Sequence, residues 1–192
     1  MIKDDIIAFG NHNWLILEWD DNRKLVITKD IIELRWYHTE FVDVTWPESE
    51  IRKYLNTDFY DMFNQHEKEK IIPVVNRNPD NPWFGTKGGA DTMDKIFLLS
   101  LEEVCRYFGD SGKKLLNRDG QKWHIEDENN RKRQAVYNNK PQWWRLRSPS
   151  YYSRTSASIS SNGNVYVRGN GVHGSPKDGG GVRPAMWLTL EV

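Results

Sequence analysis

The chain has 192 residues, enough for one sizeable hydrophobic core and rather few for two, so we expect a single domain over residues 1–192. Hydrophobic residues make up only 38%, but nine Trp, eight Tyr and seven Phe argue against a disordered chain. Basic and acidic residues balance at 27 each, which argues against a nucleic-acid ligand held through its phosphates. We interpret the local basic run 131–133 as a solvated loop.

The cysteine content and the hydropathy of the sequence predict where the chain is made and whether it enters a membrane. Cys105 is the only cysteine, which excludes an intramolecular disulfide. The first five residues include two aspartates and no long apolar run follows them, so we expect synthesis in the cytoplasm without a secretory signal. No segment is long and apolar enough to predict a membrane span.

Two strands and a helix are predicted in the first third of the chain. The apolar run 14–19 and the returning run 24–28 flank turn residues and predict a hairpin. Thr45 and Glu48 have the spacing of a capping box, with Pro47 in the first turn, so a helix is predicted from Thr45. Its apolar face would consist of Ile51, Tyr54, Leu55, Phe59, Met62 and Phe63.

A second helix is predicted from Ser100, with Glu103 completing another capping box and Gly109 ending the helix. Val104, Tyr107 and Phe108 would point inward. Residues 71–75 and 96–99 are apolar and predict short extended segments. Residues 76–93 and 110–140 are polar, and we interpret both as loops with short helical pieces at most.

The final fifth of the chain predicts strands and a hairpin. Residues 143–149 and 182–190 are typical of strands, and Asn162-Gly163 is a strong hairpin signal between residues 157–160 and 165–168. Because side chains alternate faces along a strand, Ala157, Ile159, Val165 and Val167 should face the core. The opposite face of the hairpin should carry Ser158, Ser160, Tyr166 and Arg168.

Residues 150–178 resemble an antibody paratope in composition. Tyrosine provides rigid contact area, serine, glycine and asparagine provide adaptable hydrogen bonds, and arginine adds a stacking anchor. The composition alone fits ordinary surface loops equally well. We find no spacing of cysteine and histidine that suits zinc and no catalytic constellation, so we predict no metal, no cofactor and no enzymatic activity. Asp91, Asp94 and the acidic residues 126–128 are expected to be solvated.

The chain resembles a family of bacterial and phage proteins of unknown function through motifs spread over nearly its whole length. The motifs are Thr45-Trp46, Arg52 with Leu55-Asn56, residues 94–100, the Asn-Gly hairpin and the ending WWRLRSP…GVRPAMWL. This ending is similar to the close of C-type-lectin-like domains. The resemblance implies an α+β, C-type-lectin-like fold, with small mixed or antiparallel sheets, two flanking helices and paired terminal strands.

Several proteins of that fold are targets of diversity-generating retroelements, which rewrite codons of a C-terminal binding surface. Residues 143–192 would then be the ligand-facing part, on a phage particle or a cell surface. The implied contacts are Tyr151, Tyr152, Arg154, Ser158, Ser160, Tyr166, Arg168, His173 and Asp178. The calcium-site tripeptides of sugar-binding C-type lectins are absent, and so is the cysteine pair of formylglycine-generating enzymes.

We therefore expect a non-catalytic domain that binds a protein or glycan ligand, without nucleic acid and without a membrane span, and with oligomerisation left open. Two alternatives stand beside this expectation. One is a structural or assembly component of a phage or cell surface. The other is a formylglycine-generating-enzyme-like fold without activity.

Overall fold

Two five-stranded sheets carry most of the regular structure in the computed structural model, which describes residues 5–109, 112–118, 120–173 and 179–190. The strands are β1 (Ile6–Phe9), β2 (His12–Asp20), β3 (Arg23–Thr28), β4 (Glu33–Arg35), β5 (Ile71–Ile72), β6 (Val74–Asn76), β7 (Thr92–Asp94), β8 (Ala135–Tyr137), β9 (Lys140–Gln142), β10 (Trp144–Pro149), β11 (Thr155–Ile159), β12 (Val165–Gly171), β13 (Gly180–Val182) and β14 (Ala185–Thr189). The helices are α1 (Glu50–Asn56), α2 (Asp58–Asp61), α3 (Gln65–Lys70), α4 (Leu101–Phe108), α5 (Gly112–Asn117) and α6 (Asn130–Arg133), with a 3₁₀ turn at Trp46–Glu48.

The first sheet has the strand order β1-β2-β3-β14-β5, and the second has the order β12-β11-β10-β13-β4. All pairs are antiparallel except β10 with β13, and two small hairpins, β6–β7 and β8–β9, complete the strands. The expected α+β class with small sheets is confirmed. Within the described stretches, no helix has both the length and the apolar character needed to cross a bilayer.

The expected pairing of the first and last strands is wrong in detail. The last strand, β14, pairs with β3, with Trp187 opposite Leu25. The cause is the meander of β1, β2 and β3, which leaves β1 at the outer edge of the sheet and offers the free edge of β3 to β14. The strands β1 and β14 therefore share one sheet but are not neighbours in it.

The helix predicted from Thr45 is divided into short pieces. Ser49 adopts an extended backbone with ψ of 142°, ends the 3₁₀ turn and caps α1, because its hydroxyl accepts from the amide of Arg52. The predicted apolar face survives the break, since Ile51, Leu55, Phe59 and Phe63 are buried, but Met62 is 64% exposed. By contrast, α4 has the predicted capping box and ends at Gly109 with φ of 132°. Val104 and Phe108 are buried as predicted, and Tyr107 is half-buried.

The last predicted strand is also two strands. β13 lies in the second sheet and β14 in the first, so the chain crosses between the sheets at Arg183-Pro184. Pro184 cannot donate to a strand ladder, but its carbonyl oxygen accepts from the amide of Thr28 at 3.0 Å. The segment 110–140, which we interpreted as a loop with short helical pieces at most, contains the short helices α5 and α6 and also the strand β8, which pairs with β9.

Three arginines of the C-terminal strands are buried and bind backbone carbonyl oxygens. Arg183 donates to Thr28 at 2.8 Å and packs over the ring of Trp144. Arg147 donates to the carbonyl of Leu98 at 2.8 Å, and also pairs with the carboxylate of Glu103. Arg145 donates to the hydroxyl of Ser156 at 3.2 Å and the carbonyl of Gly171 at 3.1 Å. Burial lowers the pKa of Arg145 and of Arg183 to about 10, so both remain charged at neutral pH.

Asp94 is the centre of a buried polar network. We had predicted that this residue would be solvated, and that prediction is wrong. Asp94 is 1% exposed, and its carboxylate accepts hydrogen bonds from four side chains. The donors are Arg52 Nε at 2.6 Å, Thr92 Oγ1 at 2.7 Å, Asn76 Nδ2 at 2.9 Å and Trp46 Nε1 at 3.0 Å. One carboxylate therefore joins the 3₁₀ turn, α1 and the β6–β7 hairpin.

We expect Asp94→Asn to lower the free energy of unfolding by about 3–5 kcal/mol, because it removes the charge that satisfies Arg52 and the other buried donors. Urea denaturation of both proteins measures the difference. Asp43→Asn is the matched control, since Asp43 is exposed, and it should change stability by less than about 0.5 kcal/mol. Equal stability of the two variants would show that the network does not stabilise the fold.

Candidate functional site

The turn between β10 and β11 presents Tyr151 and Tyr152 side by side. Thr155 fixes this turn, because its hydroxyl donates to the carbonyl oxygen of Tyr152 at 2.7 Å and accepts from the Tyr152 amide at 3.0 Å. The amide of Tyr151 donates to the carbonyl oxygen of Arg168 on β12. Tyr152 is 52% exposed and Tyr151 is half-buried, so one ring faces solvent and the other supports it.

Tyr151 lies at the centre of a group of aromatic rings. The ring centroids of Tyr152, Phe84 and Trp123 lie 4.3, 4.8 and 6.2 Å from that of Tyr151, each in an edge-to-face arrangement. Such pairs stabilise by about 0.5–1.5 kcal/mol beyond the area they bury. Trp123 is 39% exposed. The group therefore offers exposed aromatic surface whose rings are held in place by one another.

Arg168 reaches this group because β12 bulges. Ser156 pairs with Asn170 and Ser158 pairs with Tyr166, so residues 167–169 lie opposite Ala157 alone. The amide of Arg168 donates to the carbonyl oxygen of Trp123 at 3.0 Å instead of to β11. Its guanidinium carbon lies 4.2 Å from the centroid of Trp123 and 5.5 Å from that of Tyr151.

Phe84 and Arg118 come from the two polar segments that we predicted to be loops. The side-chain oxygen of Asn81 accepts from the amides of Trp83 and Phe84, and its nitrogen donates to the carbonyl of Pro149 at 2.8 Å. Arg118 donates to the carbonyl of Trp83 and lies 4.9 Å from the ring centroid of Phe84. We call the assembled group the aromatic–arginine cluster: Phe84, Arg118, Trp123, Tyr151, Tyr152 and Arg168.

The two guanidinium groups of the cluster have no acidic partner among the residues whose structure is described. Within the described part of the chain, no carboxylate forms an ion pair with Arg118 or Arg168, although six other arginines have such partners. Arg118 is exposed and Arg168 half-buried. Positive charge is therefore held against aromatic rings at this surface without an ion pair to any carboxylate of the described residues.

Two further predicted contacts flank the cluster on the other side of the same turn. Arg154 is exposed and lies 5.1 Å from the ring centroid of Phe41, which is 55% exposed. His173 is exposed and its ring centroid lies 5.2 Å from that of Trp36. The residues 150–154 thus lead into two neighbouring aromatic groups, of which the aromatic–arginine cluster is the larger.

The hairpin alternation is correct for the core but not for every outward residue. Ala157, Ile159, Val165 and Val167 are fully buried as predicted. Ser158 should face solvent, yet it is 0% exposed, because the side chain of Asn170 covers and hydrogen-bonds it at 2.8 Å. The prediction that Ser158 is available to a ligand is therefore wrong.

Ser160 and Tyr166, two further predicted contacts, lie outside the cluster. Ser160 is half-buried, and its hydroxyl bonds within the hairpin turn to Asn162 and Asn164. Tyr166 is half-buried on β12. Asp178 lies outside the described residues.

Sequence reasoning missed Phe84, Arg118 and Trp123. All three lie in segments whose polar composition indicated loops, and their contacts arise only when those loops fold back onto β10 and β12. The available signal was the presence of large aromatic residues in segments that are otherwise polar, since such rings need a packing partner.

Away from the cluster, a cleft of about 550 Å³ lies beside β14 and the β6–β7 hairpin. Its charged groups are engaged with one another: Glu18 accepts from the hydroxyl of Tyr107 at 2.5 Å and pairs with Arg106. Burial and this hydrogen bond raise the pKa of Tyr107 well above its usual range. No group of three potential metal ligands occurs among the residues that the structure describes.

We expect Gly169→Ala to disturb the bulge that carries Arg168. Gly169 has φ of 71°, and a Cβ there would lie 2.2 Å from the carbonyl oxygen of Ser156. Gly85→Ala is the matched control, because Gly85 has φ of 70° with open space around it. Both variants place an alanine at positive φ, which should lower the free energy of unfolding by about 1–2 kcal/mol. The clash with Ser156 should lower that of Gly169→Ala by about 1–3 kcal/mol more. Urea denaturation measures the difference, and equal losses would exclude the clash.

Comparison with known proteins gives a family and no characterised relative. No curated protein and no solved structure matches the chain significantly. The family of domains of unknown function called DUF6273 matches residues 21–190, which include the second sheet, all of the first sheet except β1 and β2, and the whole aromatic–arginine cluster. The chain therefore belongs to the DUF6273 family.

Proposed function

We propose that this domain is a non-catalytic recognition module whose aromatic–arginine cluster contacts a protein or glycan ligand. The observation that carries the proposal is the exposed group of rings around Tyr151, together with the unneutralised guanidinium of Arg168. Trp, Tyr and Arg are the residues that most often dominate binding energy at interfaces. Tyrosine and tryptophan lose few torsional degrees of freedom when they bind.

The rigid attachment of the cluster supports the same proposal. Its residues are fixed by backbone hydrogen bonds to strand β12 and by the side chain of Asn81. A preorganised surface keeps more of its contact energy as affinity, because less ordering occurs on binding. The non-catalytic part of the proposal is supported by the buried carboxylates of Asp94 and Asp127 and the half-buried carboxylate of Glu103, each of which pairs with an arginine.

The contact set that we propose is narrower than the composition of the C-terminal residues suggested. Tyr151, Tyr152 and Arg168 form its centre together with Trp123, and Arg154 extends it past the turn. His173 and Tyr166 would be peripheral. Ser158 is excluded by its burial, and the hydroxyl of Ser160 is engaged within the hairpin turn.

We also propose that the frame is C-type-lectin-like. The proposal is supported by a sheet that joins the N-terminal strands with the last strand, by the capped helices α1 and α4, and by the strand-rich C-terminal part. The pairing of β14 with β3 departs from the expected pairing of terminal strands. The recognition proposal does not depend on this frame, because it rests on the cluster itself.

The recognition proposal is tested by two matched tryptophan variants. Random peptides displayed on phage and a glycan array are first screened against the full chain, and the binders are titrated. Trp123→Ala should weaken binding at least about 10-fold, the loss typical of an interface hot spot. Trp19→Ala is the control, because Trp19 is 57% exposed but lies on β2 in the other sheet. It should leave affinity unchanged.

The controls distinguish a lost contact from a lost fold. Both variants should keep thermal midpoints close to that of the parent, because neither ring is buried in the core. Equal weakening by Trp19→Ala, or none by Trp123→Ala, would place the binding surface elsewhere. Light scattering that shows an oligomer disrupted by Trp123→Ala would instead support the assembly alternative.

Diversification by a retroelement is a separate proposal with its own test. If the gene is such a target, a near-copy of the codons for residues 143–192 should lie in the neighbouring DNA beside a reverse-transcriptase gene, differing only at adenines. The altered codons should include those of Tyr151, Tyr152 or Arg154 and should spare buried Ser158. Sequencing of the flanking DNA decides this, and absence of the copy would leave recognition by a fixed surface.

A further inference from the structure

We propose that the ligand of the aromatic–arginine cluster is an acidic protein segment, whose carboxylates bind Arg168 and Arg118 across the Phe84–Tyr151 ring pair. This inference rests on the recognition function proposed above. It adds the chemical class of the ligand.

The guanidinium groups of Arg168 and Arg118 have hydrogen-bond donors that the described residues do not use. The side chain of Arg168 makes no hydrogen bond or ion pair within the described part of the chain, and its contacts are with the rings of Trp123 and Tyr151. Among the described residues, Arg118 donates only to the carbonyl oxygens of Trp83 and Lys122. A guanidinium has five donors and is always charged near neutral pH, so both groups have capacity left for an anion.

The aromatic rings of the cluster restrict the orientation of both guanidinium groups. Stacking against Trp123 restricts Arg168, and stacking against Phe84 restricts Arg118. The planar fork of a guanidinium matches the two oxygens of a carboxylate and forms two parallel hydrogen bonds with it. Because the rings already restrict both side chains, less conformational entropy is lost when a carboxylate binds.

The arrangement of the rings in the cluster suits a carboxylate ligand better than the bases of a nucleic acid. Single-stranded nucleic acid binds by stacking its bases on open aromatic faces. Here Arg168 lies over the ring of Trp123, while Phe84, Trp123 and Tyr152 all meet Tyr151 edge to face. The cluster therefore has less free stacking surface than its number of rings suggests, and the unused interaction capacity is mainly that of the guanidinium groups.

The two guanidinium groups of the cluster are separated by a pair of aromatic rings. The contacts run in the order Arg118, Phe84, Tyr151 and Arg168, so an apolar ring pair separates two cationic groups. Arg154, on the other side of the turn, is a third arginine without an acidic partner in the described residues. A ligand segment with carboxylates separated by an apolar or aromatic residue matches this order.

The experiment is a selection of random peptides displayed on phage against the full chain, followed by titration of the selected peptides. Binders of the parent chain should be enriched in Asp and Glu relative to the unselected library. Replacing the glutamates of a selected peptide by glutamine, or making Arg168→Gln or Arg118→Gln in the domain, should each weaken binding about 10-fold or more. Arg168→Lys keeps the charge but loses the fork, so its affinity should be intermediate.

The control is Arg131→Gln, which removes the same charge from an exposed position on α6 and should leave affinity unchanged. A charge-reversed domain, Arg168→Glu, should lose the preference for acidic peptides in a repeated selection. Thermal unfolding of every variant checks that the fold is retained.

The outcomes separate this inference from the function on which it rests. Selected peptides without acidic enrichment, or glutamine versions that bind equally well, would overturn the carboxylate inference while recognition still depends on Trp123. Tighter binding of a single-stranded oligothymidylate than of any acidic peptide would overturn it in favour of nucleic acid. Binding that is indifferent to Trp123→Ala, or no binder from the library, would count against the recognition function as well.

Discussion

The fold depends on guanidinium groups that are buried among backbone carbonyl oxygens. Arg145, Arg147 and Arg183 are at most 4% exposed, and they bind carbonyls in segments far away in the sequence. These carbonyls belong to Leu98 in an irregular segment and to Thr28 and Gly171 at the ends of β3 and β12, and an unsatisfied buried carbonyl costs free energy. Arginine can satisfy several of them from one position, which is why the C-terminal strands can organise the loops around them.

The same logic extends to the surface that we assign to recognition. Its residues come from loops, yet each loop is tied to a strand through hydrogen bonds: Asn81 to Pro149, Trp123 to Arg168, and Thr155 within its own turn. The second sheet, which is packed against the core, therefore supports the rings of the aromatic–arginine cluster at its β12 edge. Among the residues that the structure describes, no carboxylate pairs with Arg168, and its guanidinium lies against the rings of Trp123 and Tyr151.

Local patterns were predictable from the sequence and distant contacts were not. The capping box of Ser100 and Glu103 involves residues three positions apart, and the inward-facing residues of the β11–β12 hairpin follow from strand geometry, so both were predicted correctly. Asp94 was expected to be solvated, because nothing local indicates that Trp46, Arg52 and Asn76 converge on it. Trp123 joins the candidate site only through a loop that folds back onto a bulge in β12. The bulge itself has no sequence signature beyond a single glycine.

The crossing of the chain at Arg183-Pro184 has a consequence for ligand linkage. Because β13 and β14 belong to different sheets and only two residues separate them, neither sheet can open far without pulling on the other. Free energy gained by a ligand on the β10–β12 side is then shared with the N-terminal strands, since binding to the native state alone stabilises the whole cooperative unit. Amides of β3, remote from the cluster, would exchange more slowly with solvent deuterium when a partner is bound.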